Sequence, residues 1–111
     1  MHALGNLTAG CDSLGSHYNP AAATHGAPDA LVHHGGDLGN IKADGAGLAY
    51  VKATMPGVQL NNILGRSVVV HELEDDLGMG DNSQPGVQGH TSLTTGNAGA
   101  RIACCIIGAT E

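Results

Sequence analysis

The chain has 111 residues, enough for one small domain, and a formal net charge of −6 from ten carboxylates against four basic residues. This acidic balance argues against a nucleic-acid partner, and no apolar run approaches the ~18 residues of a membrane span. No leader typical of a signal peptide is visible. With no Trp, no Phe and two Tyr, the core is expected to consist of aliphatic side chains.

The first 40 residues are predicted to form one long loop. Eighteen Gly and four Pro make up about a fifth of the whole chain. Those in the first 40 residues interrupt any helical or strand periodicity of the apolar side chains. Five of the seven His lie here. Because compact domains rarely carry so long an irregular segment without a use for it, we expect this loop to be functional.

Three later segments favour β-structure. Residues 41–54 predict a hairpin around the Asp44-Gly45 turn. The β-branched run 67–71 predicts a short strand, and the apolar run 102–107 predicts a final, buried strand. Residues 72–100 lack periodicity, so no helix is predicted there. So few strands make a poor independent sheet, and we expect further strands or another chain to cover its edges.

The spacing of His17, His25, His34 and Asp37 suggests a metal site in the first loop. Three imidazoles and one carboxylate form the closed, four-ligand set typical of structural zinc. The glycines between His34 and Asp37 allow the backbone to curl round an ion. The alternative interpretation is that a His- and Gly-rich loop is simply solvated.

His71 ends the predicted strand and His2 is the second residue of the chain, and these two residues suit a second, open site that can undergo redox chemistry. Imidazole-rich sites suit copper as well as zinc. The cysteines are Cys11, Cys104 and Cys105, which allow one long-range disulfide with one odd thiol.

Several short motifs follow one another in a fixed order along the chain: His17-Tyr18-Asn19-Pro20, Gly26-Ala27-Pro28, Gly36-Asp37-Leu38-Gly39-Asn40, Gly65-Arg66-Ser67-Val68-Val69-Val70-His71, Asp75-Asp76-Leu77-Gly78, Thr95-Gly96-Asn97-Ala98-Gly99 and Arg101-Ile102-Ala103-Cys104. Together they resemble the copper/zinc superoxide dismutase family over essentially the whole chain. The segment 89–99 looks most like plant-type members. The resemblance implies an all-β Greek-key barrel or sandwich, with residues 1–111 as a single, incomplete domain that lacks the N-terminal strands and keeps long metal-binding and electrostatic loops.

The resemblance also implies one copper and one zinc per subunit. It implies that His17 bridges the two metals as an imidazolate, that Asp75 links a zinc histidine to a copper histidine, and that Arg101 guides the substrate anion. The matched ligands are His2, His17 and His71 for copper and His17, His25, His34 and Asp37 for zinc. Cys11 and Cys104 match the family disulfide.

The implied function is that of a superoxide dismutase, an antioxidant oxidoreductase that converts superoxide to dioxygen and hydrogen peroxide, with His17 and Arg101 as catalytic residues. The implied partners are the superoxide anion, a second copy in a homodimer and a copper-loading chaperone. The dimer contact would involve Gly5-Asn6, the segment 63–65 and Ile106-Ile107. The expected location is cytoplasmic, with a chloroplast or secreted form left open.

The chain departs from the family pattern at three places. Met1 precedes His2 where a His-x-His pair is usual, so one copper-ligand histidine is absent. The alternative function is therefore a zinc-binding module that is catalytically impaired, whereas a zinc hydrolase would need an open zinc position that Asp37 closes. Met79 and Thr94 stand where lysines are usual, and Cys105 replaces a glycine.

Overall fold

The computed structural model describes residues 1–81, 83 and 87–110, with the backbone alone described at 87–90. Most of this part of the chain is loop. The regular elements are strand β1 (Thr8–Cys11), a 3-10 turn (Asp12–Leu14), helix α1 (Leu60–Ile63), strand β2 (Ser67–His71), helix α2 (Val87–Thr95) and strand β3 (Arg101–Ile106). Among the described residues, neither helix is long and apolar enough to cross a membrane.

Strands β2 and β3 form an antiparallel sheet, which confirms both predicted strands within one residue. Val69 lies opposite Cys104 in the ladder, and the register shifts between Val70 and His71. The shift places His71 opposite Arg101 instead of Ile102. Bulges of this kind re-aim side chains at the end of a ladder, and here the shift brings a histidine and an arginine side by side.

The prediction that the last strand is buried is wrong. Ile102 is 61% exposed and Ile106 is 37% exposed. Two strands cannot enclose a core by themselves, and the rest of the described chain covers these side chains only in part.

The predicted hairpin at residues 41–54 is also not formed as such. Its turn is present, because the Asp44 N–H donates to the Leu48 carbonyl at 2.8 Å and the Gly47 N–H donates to the Asp44 carbonyl at 3.0 Å. The flanking residues belong to no strand, and Tyr50 and Val51 are exposed. The local turn signal was therefore correct, but no strand of the described chain pairs with this segment.

Helix α2 lies within the segment where no helix was predicted. Its sequence contains Gly89 and several Thr and Ser, which are weak helix formers. Two contacts with the rest of the chain hold it in place. The Leu93 carbonyl accepts the His25 N–H at 2.8 Å, and the fully buried Ser92 hydroxyl donates to Asp76 at 2.8 Å. Tertiary contacts have thus overridden local propensity.

The buried centre of the described chain is more polar than the expected aliphatic core. Its apolar members are Met1, Leu14, Tyr18 and Ala98, and its polar members are His2, His25, His34, Asp37, Ser67 and Ser92. Buried polar side chains need partners to offset the loss of hydration. The interior is therefore organised around the histidine-rich loop.

A disulfide joins β1 to β3. Cys11 and Cys104 are bonded across 93 positions of sequence, whereas Cys105 is a free, exposed thiol. This confirms the pairing that the family resemblance implied. The bridge fixes the end of β1, and with it the loop before His17, to the strand that carries Arg101.

We expect the substitution Cys104→Ser to lower the free energy of unfolding by about 2–5 kcal/mol, because the closed loop restricts the unfolded chain. Chemical denaturation of the two proteins under non-reducing conditions measures the difference. The control is Cys105→Ser, which removes a neighbouring free thiol and is expected to leave stability almost unchanged. Equal destabilisation by both substitutions would contradict the assignment of the bridge.

Candidate metal centre

The first group of site residues, called here the aspartate cluster, consists of His17, His25, His34 and Asp37. One ligand atom from each lies within 4.8 Å of all the others. Asp37 Oδ1 is 3.0 Å from His17 Nδ1, 3.0 Å from His25 Nδ1 and 3.3 Å from His34 Nδ1. The loop thus brings together the four residues that the spacing pointed to.

Backbone groups orient the Asp37 carboxylate. Its Oδ2 accepts the N–H of His34 at 2.8 Å and the N–H of Gly26 at 3.2 Å. Burial favours the neutral acid, but the hydrogen bond from His17, the close approach of the His25 imidazole and the hydrogen bonds from this backbone hold the pKa of Asp37 far below its usual value. The carboxylate is therefore ionised, with Oδ1 directed at the three imidazoles.

His25 is held between two carboxylates. Its Nε2 lies 2.7 Å from Asp75 Oδ1, and a carboxylate accepts, so this nitrogen carries a hydrogen. Its buried Nδ1 is 3.0 Å from Asp37 Oδ1 but makes no hydrogen bond of acceptable geometry. Burial opposes protonation, but Asp37 and Asp75 raise the pKa of His25 to about 9. A cation bound at Nδ1 would displace that proton.

Asp75 is positioned by reciprocal bonds with Asn40. The Asn40 side-chain amide donates to the Asp75 carbonyl at 2.8 Å, and its oxygen accepts the Asp75 N–H at 2.8 Å. Gly96, with φ +64°, lies directly over the contact between Asp75 and His25. A Cβ at this position would collide with Asp75 Oδ1 and His25 Nε2. Only glycine allows this approach.

The second group, called here the histidine cluster, consists of His2, His17 and His71. His2 Nδ1 is 2.9 Å from the Gly15 carbonyl, and His71 Nδ1 is 3.0 Å from the Gly99 carbonyl. Since a carbonyl only accepts, both Nδ1 atoms carry the hydrogen and both Nε2 atoms keep a lone pair. These two Nε2 atoms face each other at 3.3 Å.

Burial, together with smaller contributions from neighbouring charges, lowers the pKa of His2 to about 4 and lowers that of His71. Both imidazoles are therefore neutral near pH 7. Two neutral nitrogens with converging lone pairs repel each other unless an electrophile lies between them. A cation supplies that electrophile, so the donor set fits a metal ion.

His17 belongs to both groups. Its Nδ1 faces the aspartate cluster, 3.2 Å from His34 Nδ1, and its ring centroid lies 4.9 Å from that of His2 and 6.0 Å from that of His71. This leaves Nε2 as the nitrogen available to the histidine cluster. One imidazole ring can therefore join two cations.

Arg101 is fixed beside the histidine cluster. Its guanidinium donates to the Cys11 carbonyl at 2.9 Å and to the Gly15 carbonyl at 2.7 Å. The same Gly15 carbonyl accepts from His2. The acceptors are neutral, so the positive charge of Arg101 is not cancelled and remains available to attract an anion.

The aspartate cluster offers the three imidazoles and one carboxylate of a closed tetrahedral site, which fits zinc. The histidine cluster offers three imidazoles and no carboxylate, which fits copper. All the residues that the family resemblance placed in the two metal sites thus come together. Sequence reasoning missed Asn40, the Gly15 carbonyl and Gly96 as supports of the site. Asn40 and Gly96 belong to the family motifs at residues 36–40 and 95–99, and this membership was the one sequence feature that marked them.

The family model described as copper/zinc superoxide dismutase matches residues 1–107. The Drosophila melanogaster protein named extracellular superoxide dismutase [Cu-Zn] is 50% identical over 111 residues, covering 97% of this chain and 58% of the relative. The crystal structure of the clock protein EA4 superposes with a TM-score of 0.85 at 39% identity, covering 96% of this chain and 66% of that chain. The chain therefore spans less than two thirds of the length of each relative.

The expected cytoplasmic location is wrong, because the Drosophila relative is an extracellular protein by name.

We expect Asp75→Asn to weaken zinc binding at the aspartate cluster by about 10–100-fold, because the amide no longer fixes the Nε2–H tautomer of His25 as a carboxylate does. Competition with a chromophoric chelator measures the affinity. The matched control is Glu74→Gln, which removes an exposed carboxylate one position away. Equal losses in the two variants would show that general charge, and not the contact with His25, is responsible.

Proposed function

The chain belongs to the copper/zinc superoxide dismutase family, and on that premise we propose that it is an enzyme that converts two superoxide anions and two protons to dioxygen and hydrogen peroxide. The observation that carries the proposal is the sharing of His17 between two groups of converging ligand atoms. A single solvated loop would not direct lone pairs at two common points.

In this proposal the aspartate cluster holds one zinc per subunit, and His2, His17 and His71 hold one copper. Copper, when bound, supplies one-electron exchange with superoxide. Zinc has no redox chemistry, so the aspartate cluster serves to fix His17 Nδ1. Asp75 orients His25 from behind through its 2.7 Å contact.

Arg101 binds the substrate in this proposal. Its guanidinium is fixed by the carbonyls of Cys11 and Gly15, so little conformational freedom is lost when an anion arrives. Its N–H groups not used by carbonyls orient superoxide at the histidine cluster. Because the register shift sets Arg101 opposite His71, the anion is held next to the ligand set.

His17 handles a proton in this proposal. Its Nδ1 is kept in the aspartate cluster, so its Nε2 is the atom that can take a proton and release it to reduced substrate. Hydrogen peroxide formation needs two protons, and the polar surroundings of His17 provide a route from solvent. Its side chain is 11% exposed, so solvent reaches the ring directly.

A catalytically silent zinc module is the alternative that the sequence left open. The contacts of His2 and His71 argue against it. A silent module has no need for two carbonyls that each fix an Nδ1–H and aim the opposite nitrogen at a common point.

The finer features of the family belong to the same proposal. We infer a single Greek-key domain, a homodimer, a copper-loading partner and a location outside the cell. The three segments expected at the dimer contact lie side by side, which supports the dimer. The Gly65 N–H donates to the Ile107 carbonyl at 2.9 Å, and Gly5 packs against Gly65 and Ile106. Leu64 and Ile106 are exposed there, and apolar surface of this kind suits a symmetric contact.

His71→Gln tests the activity. We expect it to abolish copper retention and superoxide dismutation while zinc remains at one per chain, because His71 belongs to the histidine cluster alone. Elemental analysis and a superoxide-consumption assay on the metal-loaded chain give the two readouts. His33→Gln is the matched control, since His33 lies outside both clusters. Activity that survives the loss of copper, or full zinc with no activity in the parent chain, would refute the proposed function.

Arg101→Gln is expected to lower kcat/KM by about tenfold or more, because a focused charge raises the encounter rate with an anion. Lys52→Gln, which removes an exposed charge from the loop, is the control.

The parent activity should depend only weakly on ionic strength, since Met79 and Thr94 supply no charge. The double substitution Met79→Lys and Thr94→Lys should steepen that dependence. An unchanged salt slope in the double variant would contradict steering at these positions.

A further inference from the structure

A second arginine, Arg66, lines a cleft to which the proposed reaction assigns no ligand, although His17 also borders it. The cleft has a volume of about 550 Å³. Its lining residues are Ala3, Ser16, His17, Tyr18, Asn19, Pro20, Ala22, Asn62 and Arg66. This volume lies within the ~300–1,000 Å³ range of small-molecule sites.

The guanidinium of Arg66 is fixed on three sides. Its Nε donates to the Asn62 carbonyl at 2.6 Å and its Nη1 donates to the Ala3 carbonyl at 2.5 Å. Its carbon lies 4.5 Å from the centroid of the Tyr18 ring, which covers one face. The orientation of the side chain is therefore set before any ligand arrives.

The charge of Arg66 has no counter-ion among the described residues. The ion pairs that the structure forms all join a histidine to Asp37 or Asp75. The partners of Arg66 are carbonyls and an aromatic ring, and its Nη2 has no hydrogen-bond partner in the described part of the chain. A permanently charged, half-buried group with an unused edge is built to receive an anion.

The rest of the lining narrows the class of anion. Besides Arg66, the lining has three apolar residues, Ala3, Pro20 and Ala22, and a set of uncharged polar or aromatic residues, Ser16, Tyr18, Asn19 and Asn62, together with His17. A tetrahedral dianion such as phosphate would find one cation and few donors here. A planar carboxylate attached to a small apolar body matches both the free edge of the one guanidinium and the apolar part of the lining.

We propose that this cleft binds a small organic carboxylate, whose oxygens accept from Arg66 Nη2 and whose apolar body lies against Pro20 and Ala22. The site is distinct from the anion site at Arg101, which donates to the carbonyls of Cys11 and Gly15. The proposal invokes neither a bound metal nor superoxide, so it does not rest on the proposed function, although His17 borders the cleft.

The test uses the full, zinc-loaded chain labelled with ¹⁵N, with benzoate as the probe. Titration should give saturable shifts of the Arg66 Nε–H signal and of the Tyr18 and Asn62 amides. Inorganic phosphate should bind at least about tenfold more weakly, a difference of ~1.4 kcal/mol, and benzyl alcohol, which has the ring but no charge, should not bind. Equal affinity for phosphate, or no saturable binding of benzoate, overturns the proposal.

Variants locate the site. Arg66→Gln should abolish benzoate binding, and Asn62→Asp, a same-size change at an exposed position, should weaken it about tenfold by placing a negative charge in the cleft. Asn62→Asp carries the test if Arg66→Gln fails to fold. Lys52→Gln and Arg101→Gln should bind as the parent does. Binding that is lost in Arg101→Gln, or that survives both cleft variants, overturns the assignment.

Discussion

The arrangement of the site depends on one buried carboxylate. Asp37 has lost its hydration, and backbone N–H groups from His34 and Gly26 fix one oxygen so that the other points at three imidazoles. A buried charge is costly unless it is paired and hydrogen-bonded. The positive charge can be a proton, as at His25, or a metal ion. The described interior has few apolar members. The free energy of metal binding therefore contributes directly to the free energy of folding of the loop.

A single backbone carbonyl links the two halves of the proposed chemistry. Gly15 accepts from both His2 and Arg101, so the group that binds metal and the group that attracts the anion share one support. The disulfide from Cys11 to Cys104 ties that segment to β3. The bridge, the register shift and the carbonyl together fix the distance between ligand and anion site without a large core.

The sequence predicted local features well and long-range ones poorly. Spacing predicted the aspartate cluster, because its four ligands lie within one glycine-rich loop. The β-branched run predicted β2. Helix α2 was missed because its formation depends on the contact between Ser92 and Asp76, which no local pattern encodes. The hairpin at residues 41–54 was predicted from its turn, yet strands also need partners. Asn40 reaches Asp75 across 35 positions, so its place in a family motif marked the residue but only the fold shows its partner.

The two structured arginines show why local placement outweighs overall charge. The chain carries a net charge of −6, which repels anions at long range. That repulsion is screened beyond a Debye length of about 8 Å in physiological salt. Within that distance the nearest uncancelled charge dominates, and both Arg101 and Arg66 are bound by carbonyls that fix the side chain without neutralising it. What separates them is the surroundings: Arg101 shares the Gly15 carbonyl with His2 of the histidine cluster, whereas Arg66 lies in a cleft that is lined in part by Ala3, Pro20 and Ala22. The same cation therefore favours a small reactive anion at one position and a carboxylate with an apolar body at the other.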